Sequence, residues 1–436
     1  MRRMFSLNMV PEMLQVKEWY VTALERNTAL SQRERDNYYG ELEVILSFLA
    51  FNSITGMSEH HRRAYKLLSG APQTLSKQGI WTFGAPSVLG LYLRTGCSLR
   101  QTVEDMQECM PPYYLLSGWH GAGAAELTEA EALLLQGRID EVDMPLQKAY
   151  YQAEKHGQEC ITICCDFLEM QRDLFHGVYS SKAEAYSRHQ WQLQPWKQSM
   201  LLNTADMCAG FYYALLGKPE YIPSWLTDGN GQQPSVLYPA RPCRNYISAQ
   251  CLLAQGQYTE LLVRWSDWEQ ECRPYSNFLC LLYLQVQRAA AFAGRGDVTS
   301  CRASLKQALE MAEADKLVLS LAQNIALLRP YLEQELQGEF SAAAAAALHL
   351  GQQLEAGRGQ IMSTRFAEAG LQELTEQELQ IAQLAAARHT NREIAQRLSL
   401  SEGTIKQYLN KIFSKLQIDA AAKNKRHQLE RFFPNS

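Results

Sequence analysis

The chain has 436 residues, 46% of them hydrophobic and 20% charged, so it can bury a core and is not a disordered polymer. Its net charge of −4 excludes a nucleic-acid coat along the whole chain but leaves room for a local basic patch. No apolar run approaches the about 18 residues of a membrane-spanning helix; the longest bulky one is 44–51. Met1-Arg2-Arg3-Met4-Phe5 leads into only a short apolar stretch before Glu12, Lys17 and Glu18, a poor secretory signal. The eleven cysteines are odd in number and lack C-x-x-C pairs, which points to reduced thiols in a cytoplasmic protein.

From the N-terminus, glycines recur after apolar helical runs. They stand at Gly56, Gly96, Gly137, Gly177, Gly217, Gly256, Gly294 and Gly338, spaced by 40, 41, 40, 40, 39, 38 and 44 residues. A glycine that takes the left-handed conformation closes a helix at its C-terminus. A second helix then starts, as at Arg138-Ile139-Asp140, Lys218-Pro219-Glu220 and Gly296-Asp297-Val298. Apolar residues on both sides keep helical periodicity: Ala130, Leu133 and Leu134 before Gly137, then Val142, Leu146, Ala149, Tyr150 and Ala153 after it. Such a hairpin buries its apolar face only by stacking on its neighbours. The pattern predicts about eight helical hairpins over residues 12–360, turning at or near those glycines. The Pro- and Gly-rich segment 222–246 is expected to interrupt two helices. Residues 341–349 read as an alanine-rich helix with an uncharged face. Together with Ala420-Ala421-Ala422 they also fit a sequence whose surface charges have been replaced.

Trp191, Trp196, Trp225, Trp265 and Trp268 could line a concave ligand surface, although aromatics at helical spacing more often fill a core. His156, Cys160 and Cys164, at i, i+4 and i+8, would share one helix face and are metal-ligand types. No fourth ligand accompanies them, and buried cysteine is common between packed helices, so no metal site is assigned. His60-His61 lies outside any H-E-x-x-H motif and reads as surface. No catalytic residue and no cofactor motif stands out. In particular there is no G-x-x-x-x-G-K-[ST] loop: Gly217-Lys218 is followed by Pro219 and has no glycine five residues before it.

A different pattern begins near Leu374 and predicts four short helices. Thr375 caps the first with Glu378 three residues on, and Leu379, Ala382 and Ala386 face inward. Asn391 is expected to cap the second, which buries Ile394, Ala395 and Leu398, and Ser401 to cap the third. A fourth should run over about 419–432. The third helix places Ile405, Leu409, Ile412 and Leu416 in one stripe and Lys406, Gln407, Asn410, Lys411 and Ser414 on the other side. Donors and amides on one face with a core on the other suit the DNA major groove. Residues 370–436 hold ten Lys/Arg against seven Asp/Glu, a local charge of +3 against −7 for the rest, as a DNA footprint requires. Gln407 and Asn410 are placed at base edges, Lys406 at guanine or phosphate, Lys411 and Lys415 at phosphates, and Thr390, Asn391, Ser401 and Thr404 near helix starts whose N–H groups hold phosphate.

This segment resembles the LuxR-type helix-turn-helix, whose pattern is L-T-x-R-E, N-x-E-I-A, S-x-x-T-V-K and K-L. The matching residues are Leu374, Thr375 and Glu378; Asn391, Glu393, Ile394 and Ala395; Ser401, Thr404 and Lys406; Lys415 and Leu416. Gln377 stands at the usual arginine, Ile405 at the usual valine, Arg388 at a common turn glycine and Tyr408 at a frequent histidine. Ala420-Ala421-Ala422 covers a position often held by arginine. The stretch before it is similar in period and order to tetratricopeptide-like arrays, most of all to the superhelical sensor of the maltose-regulon activator class. Larger members of that class carry an ATPase ahead of the repeats. Here the repeats start almost at Met1, so no nucleotide switch is expected.

The resemblance implies an all-α chain: a tetratricopeptide-like helical-hairpin superhelix over 1–365, followed by a four-helix LuxR-type helix-turn-helix domain over 366–436. It implies a cytoplasmic, bacterial-type transcription regulator, not an enzyme, with no cofactor. Its partners would be double-stranded promoter DNA, bound as a homodimer, and a small-molecule effector or protein in the repeat groove. The alternative is an interaction scaffold whose repeats hold a peptide or protein while the head tethers it to DNA.

Overall fold

The computed structural model describes residues 4–5, 7–189, 198–228, 236–366, 374–416, 418, 429 and 432–433. Among the described residues the chain is helical, with no strand, and no helix is long and apolar enough to cross a membrane. Two compact units form: Met1–Arg172 with Ser180–Leu354, and Asp173–Tyr179 with Glu355–Ser436.

The elements in chain order are α1 (Val10–Arg26), α2 (Gln32–Leu46), α3 (Ile54–Leu67), α4 (Leu99–Ser117), α5 (Ala124–Leu135), α6 (Asp143–His156) and α7 (Glu159–His176). They continue with α8 (Ser181–Ser187), α9 (Gln198–Leu216), α10 (Arg241–Ala254), α11 (Tyr258–Cys272), α12 (Phe278–Gly294) and α13 (Val298–Glu313). Then come α14 (Leu319–Gln323), α15 (Ile325–Glu335) and α16 (Ser341–Ile361). From α8 to α13 each helix packs on the next, and α10 also packs on α12. Each apolar face is thus covered by sequence neighbours.

The glycine spacing finds most of the turns, for more than one physical reason. Gly137, Gly177, Gly217 and Gly256 end their helices in the left-handed region, where a side chain would be strained. Gly294 lies inside α12, and Gly296 makes the left-handed turn. A Cβ on Gly294 would come within 2.5 Å of the Tyr258 ring, so its smallness serves close packing. At Gly96 the left-handed residue is its neighbour Cys97. Gly56 sits in the first turn of α3 and closes nothing. Lys218-Pro219-Glu220 opens only a 3₁₀ turn, Pro219–Tyr221. The interruption expected at 222–246 ends earlier, because α10 starts at Arg241 with Pro242 in its first turn, where proline's missing N–H costs no bond.

The largest departure from a plain hairpin array is the stretch between α3 and α4. Residues 68–88 form no helix, Leu89–Tyr92 make one short helical turn, and 81–93 are buried without a break. A buried irregular backbone must find partners for its polar groups, and here the surrounding helices supply them. Glu131 of α5 accepts from the Ser87 hydroxyl and from the N–H groups of Val88 and Leu89, the last two at 3.1 and 2.9 Å. Thr204 of α9 donates to the Gly84 carbonyl at 2.8 Å, and the Cys164 thiol of α7 to that of Ala85 at 3.4 Å. Asn277 and Cys280 both donate to the Gly90 carbonyl, at 3.0 and 3.3 Å. Residues from α5, α7, α9 and α12 thus converge on one segment that fills the interior of the unit.

Other expectations change with the structure. His156, Cys160 and Cys164 do not share a helix. Gly157, left-handed at φ 63°, ends α6 between them, and the His156 ring stacks on Trp119 at 4.2 Å. His60 and His61 are not free surface: His60 Nδ1 pairs with Glu43 at 2.7 Å, and His61 is half-buried. Trp225 donates to Asp206 at 2.9 Å, Trp265 donates to the Leu284 carbonyl at 3.0 Å, and Trp268 is buried. Trp191 and Trp196 lie outside the described residues. Within the alanine tract Ala343, Ala344 and Ala347 face the core, so half of it is packing rather than surface.

Candidate nucleic-acid interface

Among the described residues of the second unit three helices surround one apolar cluster: α17 (Glu376–Ala386), α18 (Asn391–Leu398) and α19 (Glu402–Lys415). Ile381, Ala382 and Ala385 of α17 meet Ile394 and Ala395 of α18 and Ile405, Leu409 and Ile412 of α19. Leu379, expected inward, is half-buried, and Ile381 and Ala385 take that role. The fourth helix, expected over 419–432, falls largely outside the described residues, as does Ala420-Ala421-Ala422.

Each helix start is fixed by a side chain. Thr375 and Glu378 form a capping box on α17. The cap of α18 is Thr390, not Asn391: its hydroxyl accepts from the Glu393 N–H, while the Glu393 carboxylate accepts from the Thr390 N–H at 2.7 Å. Threonine followed three residues later by glutamate is the stronger signature, and it moves Asn391 into the first turn. That carboxylate, held below its usual range by the Thr390 N–H and hydroxyl, sits where a phosphate would be drawn. The start of α19 differs. Ser401 accepts from the Thr404 N–H at 3.1 Å, the two hydroxyls lie 2.8 Å apart, and no capping-box carboxylate reaches back.

Between α18 and α19 the chain turns through Ser399, left-handed at φ 55°, with Leu400 N–H donating to the Ala395 carbonyl at 2.9 Å. This sets α19 across α18 as a helix-turn-helix. On α19 the residues 406, 407, 410 and 414 are exposed opposite the buried stripe. Lys406, Gln407 and Asn410 make no hydrogen bond within the chain among the described residues. Thr404 is half-buried, and Thr390 and Ser401 are exposed.

Sequence reading missed the centre of the module. Glu378 is wholly buried, and Lys415 reaches it from the far end of α19 at 2.6 Å. Lys411 stands 3.3 Å from its other oxygen and keeps most of its side chain in solvent. Burial pushes the Glu378 carboxyl up, but Lys415, the Thr375 N–H and Lys411 outweigh this and bring it down to about 2. The glutamate of the first motif and the lysine of the last are therefore one contact. Two departures from the family pattern also meet, since the Tyr408 hydroxyl donates to Gln377 Oε1 at 2.9 Å.

With this geometry in place, residues 372–423 match the model of the family described as bacterial regulatory proteins, luxR family. This stretch is a LuxR-family helix-turn-helix domain, and it gives the chain the DNA-binding capacity of a transcriptional regulator. No curated protein matches the chain significantly.

Proposed function

We propose that the protein is a signal-responsive transcriptional regulator of the cytoplasm, in which a tetratricopeptide-like sensor over 1–365 controls promoter binding by the head over 366–436. The observation that carries this reading is α19, buried along one side and bare along Lys406, Gln407 and Asn410 on the other, inside a LuxR-family match. Gln407 and Asn410 read base edges, with adenine best suited to a bidentate amide, and Lys406 reaches guanine or phosphate. Ser401 and Thr404 hold phosphate at the open start of α19, aided by Lys411. Thr390 and Asn391 approach the backbone at α18, where Glu393 limits their part. Lys415 serves mainly to seat Glu378. One head spans few base pairs, so the protein binds two half-sites as a homodimer. The continuous burial of 81–93 disfavours a peptide laid through the same interior, so the sensor reading leads the scaffold reading.

The test is binding of the full chain to genomic fragments selected with it, over a salt series. Asn410→Ala should cost about 1–3 kcal/mol on the selected site and much less on random DNA. Lys411→Ala should weaken both alike and flatten the salt dependence by about one unit. If Lys406, Gln407 and Asn410 all become alanine without changing which fragments bind, α19 does not read sequence.

A further inference from the structure

In the first unit α4 packs on α5 and α5 on α6. Along one side of the three runs an open groove of about 1030 Å³. Each helix gives it one face at helical spacing: Leu99 and Val103 of α4, Ala132 and Leu133 of α5, Met144 and Pro145 of α6. Leu99, Ala132 and Pro145 are buried beneath it, Val103 and Leu133 are half-buried, and Met144 keeps 68% of its surface in solvent. The turn after α13 closes one end. There Gln136 Nε2 donates to the Asp315 carbonyl at 2.9 Å, and the Ser98 and Leu99 N–H groups donate to the Asp315 carboxylate at 3.0 and 3.3 Å.

The charges around the groove are unevenly matched. Glu104 pairs with Arg100 at 2.7 Å, and Glu141 pairs with Arg138. Glu129 accepts from Gln107 Nε2 at 3.2 Å. Lys148, one turn beyond Met144 on α6, and Lys316, in the closing turn, both line the groove and are exposed. Neither makes a hydrogen bond or ion pair among the described residues, so an incoming carboxylate would complete them. DNA does not fit, because Glu104, Glu129 and Glu141 would meet its phosphates. An open trough covers one side of a guest, whereas small-molecule pockets enclose most of theirs. The walls are helices whose backbone groups are already bonded, so an extended peptide would gain no ladder of main-chain hydrogen bonds. An amphipathic helix needs only one face covered.

We propose that this groove docks a short amphipathic helix of a protein partner, apolar along one face and acidic along its flanks. A helix laid along α5 meets at most its 12 residues, about 18 Å. Its apolar residues settle on Val103, Leu133 and Met144, and its carboxylates reach Lys148 and Lys316. None of residues 81–93 lines the groove, so docking leaves their packing in place. The assignment rests on the signal-responsive reading above and gives the signal a class, a protein segment.

The experiment selects displayed random peptides of about 16 residues, enough to cover that length as a helix, on the full-length protein. The selected peptides are then synthesised and measured by fluorescence anisotropy. They should be acidic overall, carry apolar residues at i, i+3, i+4 and i+7, and saturate at one site per chain. Met144→Glu places a carboxylate on the apolar floor and should weaken them at least about tenfold. Lys148→Glu with Lys316→Glu should weaken them about tenfold at low salt and much less at high salt. If Met144→Glu does not fold by circular dichroism, the lysine pair decides. The proposal is overturned if no peptide is selected, if the selected peptides are basic or uncharged, or if both variants leave their affinity within about twofold. Self-association of the chain that Met144→Glu abolishes would make a second copy the occupant and overturn it too. Peptides that meet every expectation at the groove but leave affinity for the selected DNA unchanged support the docking site and overturn the signal-responsive reading instead.

Discussion

Among the described residues each unit buries one glutamate, Glu131 and Glu378, and the two are held in opposite ways. Glu131 binds the inner segment with neutral donors only, the Ser87 hydroxyl and the N–H groups of Val88 and Leu89. Burial pushes its carboxyl up to about 7, and those three donors offset only part of the rise. Glu378 is also shielded from solvent, but two ammonium groups face it, and its carboxyl falls to about 2. Where burial alone raises a carboxyl, adjacent positive charge lowers it. The difference suits the two jobs. The head is clamped into one shape across the acidic and neutral range, whereas the anchor of the inner segment changes charge near neutrality.

The largest test of this contrast breaks the clamp. Lys415→Met should destabilise the head by about 3 kcal/mol, because it leaves a buried carboxylate short of its main partner; Lys411 nearby keeps the loss at the low end. Adding Glu378→Gln should recover most of it. No tryptophan follows Trp268, so fluorescence reports the first unit and amide exchange over 374–416 must report the head. Unchanged exchange in Lys415→Met would show the ion pair to be surface decoration. The wild-type contribution of Glu378 is present above its unfolded value of about 4.5 and is lost as pH falls from there toward 2.

The second test reverses that sign. The folded pKa of Glu131 lies above its unfolded one, so its contribution is fully present below about pH 4.5 and is lost as pH rises to about 7. The shift corresponds to about 3 kcal/mol. Glu131→Gln cannot ionise, so the difference in stability between wild type and variant should change by about that amount between pH 4.5 and 7.5. Thermal unfolding followed by tryptophan fluorescence measures it. A pH-independent difference would mean that Glu131 titrates with an ordinary carboxylate's pKa.

How far the sequence speaks for itself follows the same division. The head was legible almost residue by residue, because its contacts are local. Caps lie three residues from their partners, and the stripe Ile405, Leu409, Ile412 shows in the helical period. What was hidden there is long-range, the Lys415–Glu378 and Tyr408–Gln377 contacts, since neither residue of a pair marks the other. In the first unit the hairpins were visible through glycines such as Gly137 and Gly217. The buried run 81–93 was not, because Gly84, Pro86 and Gly90 look like a surface loop and the hydrogen-bond partners that make its burial possible lie 42 to 190 residues away. His61 was misjudged for a similar reason: a histidine beside another on a polar-looking helix gives no sign of the Tyr113 ring it packs against.

The smallest expected effect concerns how helices end. In the first unit the left-handed closing residue is repeatedly glycine, as at Gly217 and Gly256; in the head it is Arg388 after α17 and Ser399 after α18, at φ 64° and 55°. A non-glycine residue in that region costs roughly 1–2 kcal/mol, while glycine costs about 0.5–1 kcal/mol of added freedom in the unfolded chain. Ser399→Gly should therefore stabilise the head by about 0.5–1 kcal/mol, a gain Arg388→Gly shares only after losing the contacts of its long side chain. Gly217→Ala should move the first unit the other way, by about 1 kcal/mol. Because Ser399 is the turn that sets α19 against α18, its variant carries a second readout, affinity for the selected DNA. Equal affinity with slower amide exchange means that the strain at Ser399 is incidental. Weaker affinity despite greater stability means that the serine holds the angle at which α19 meets the groove.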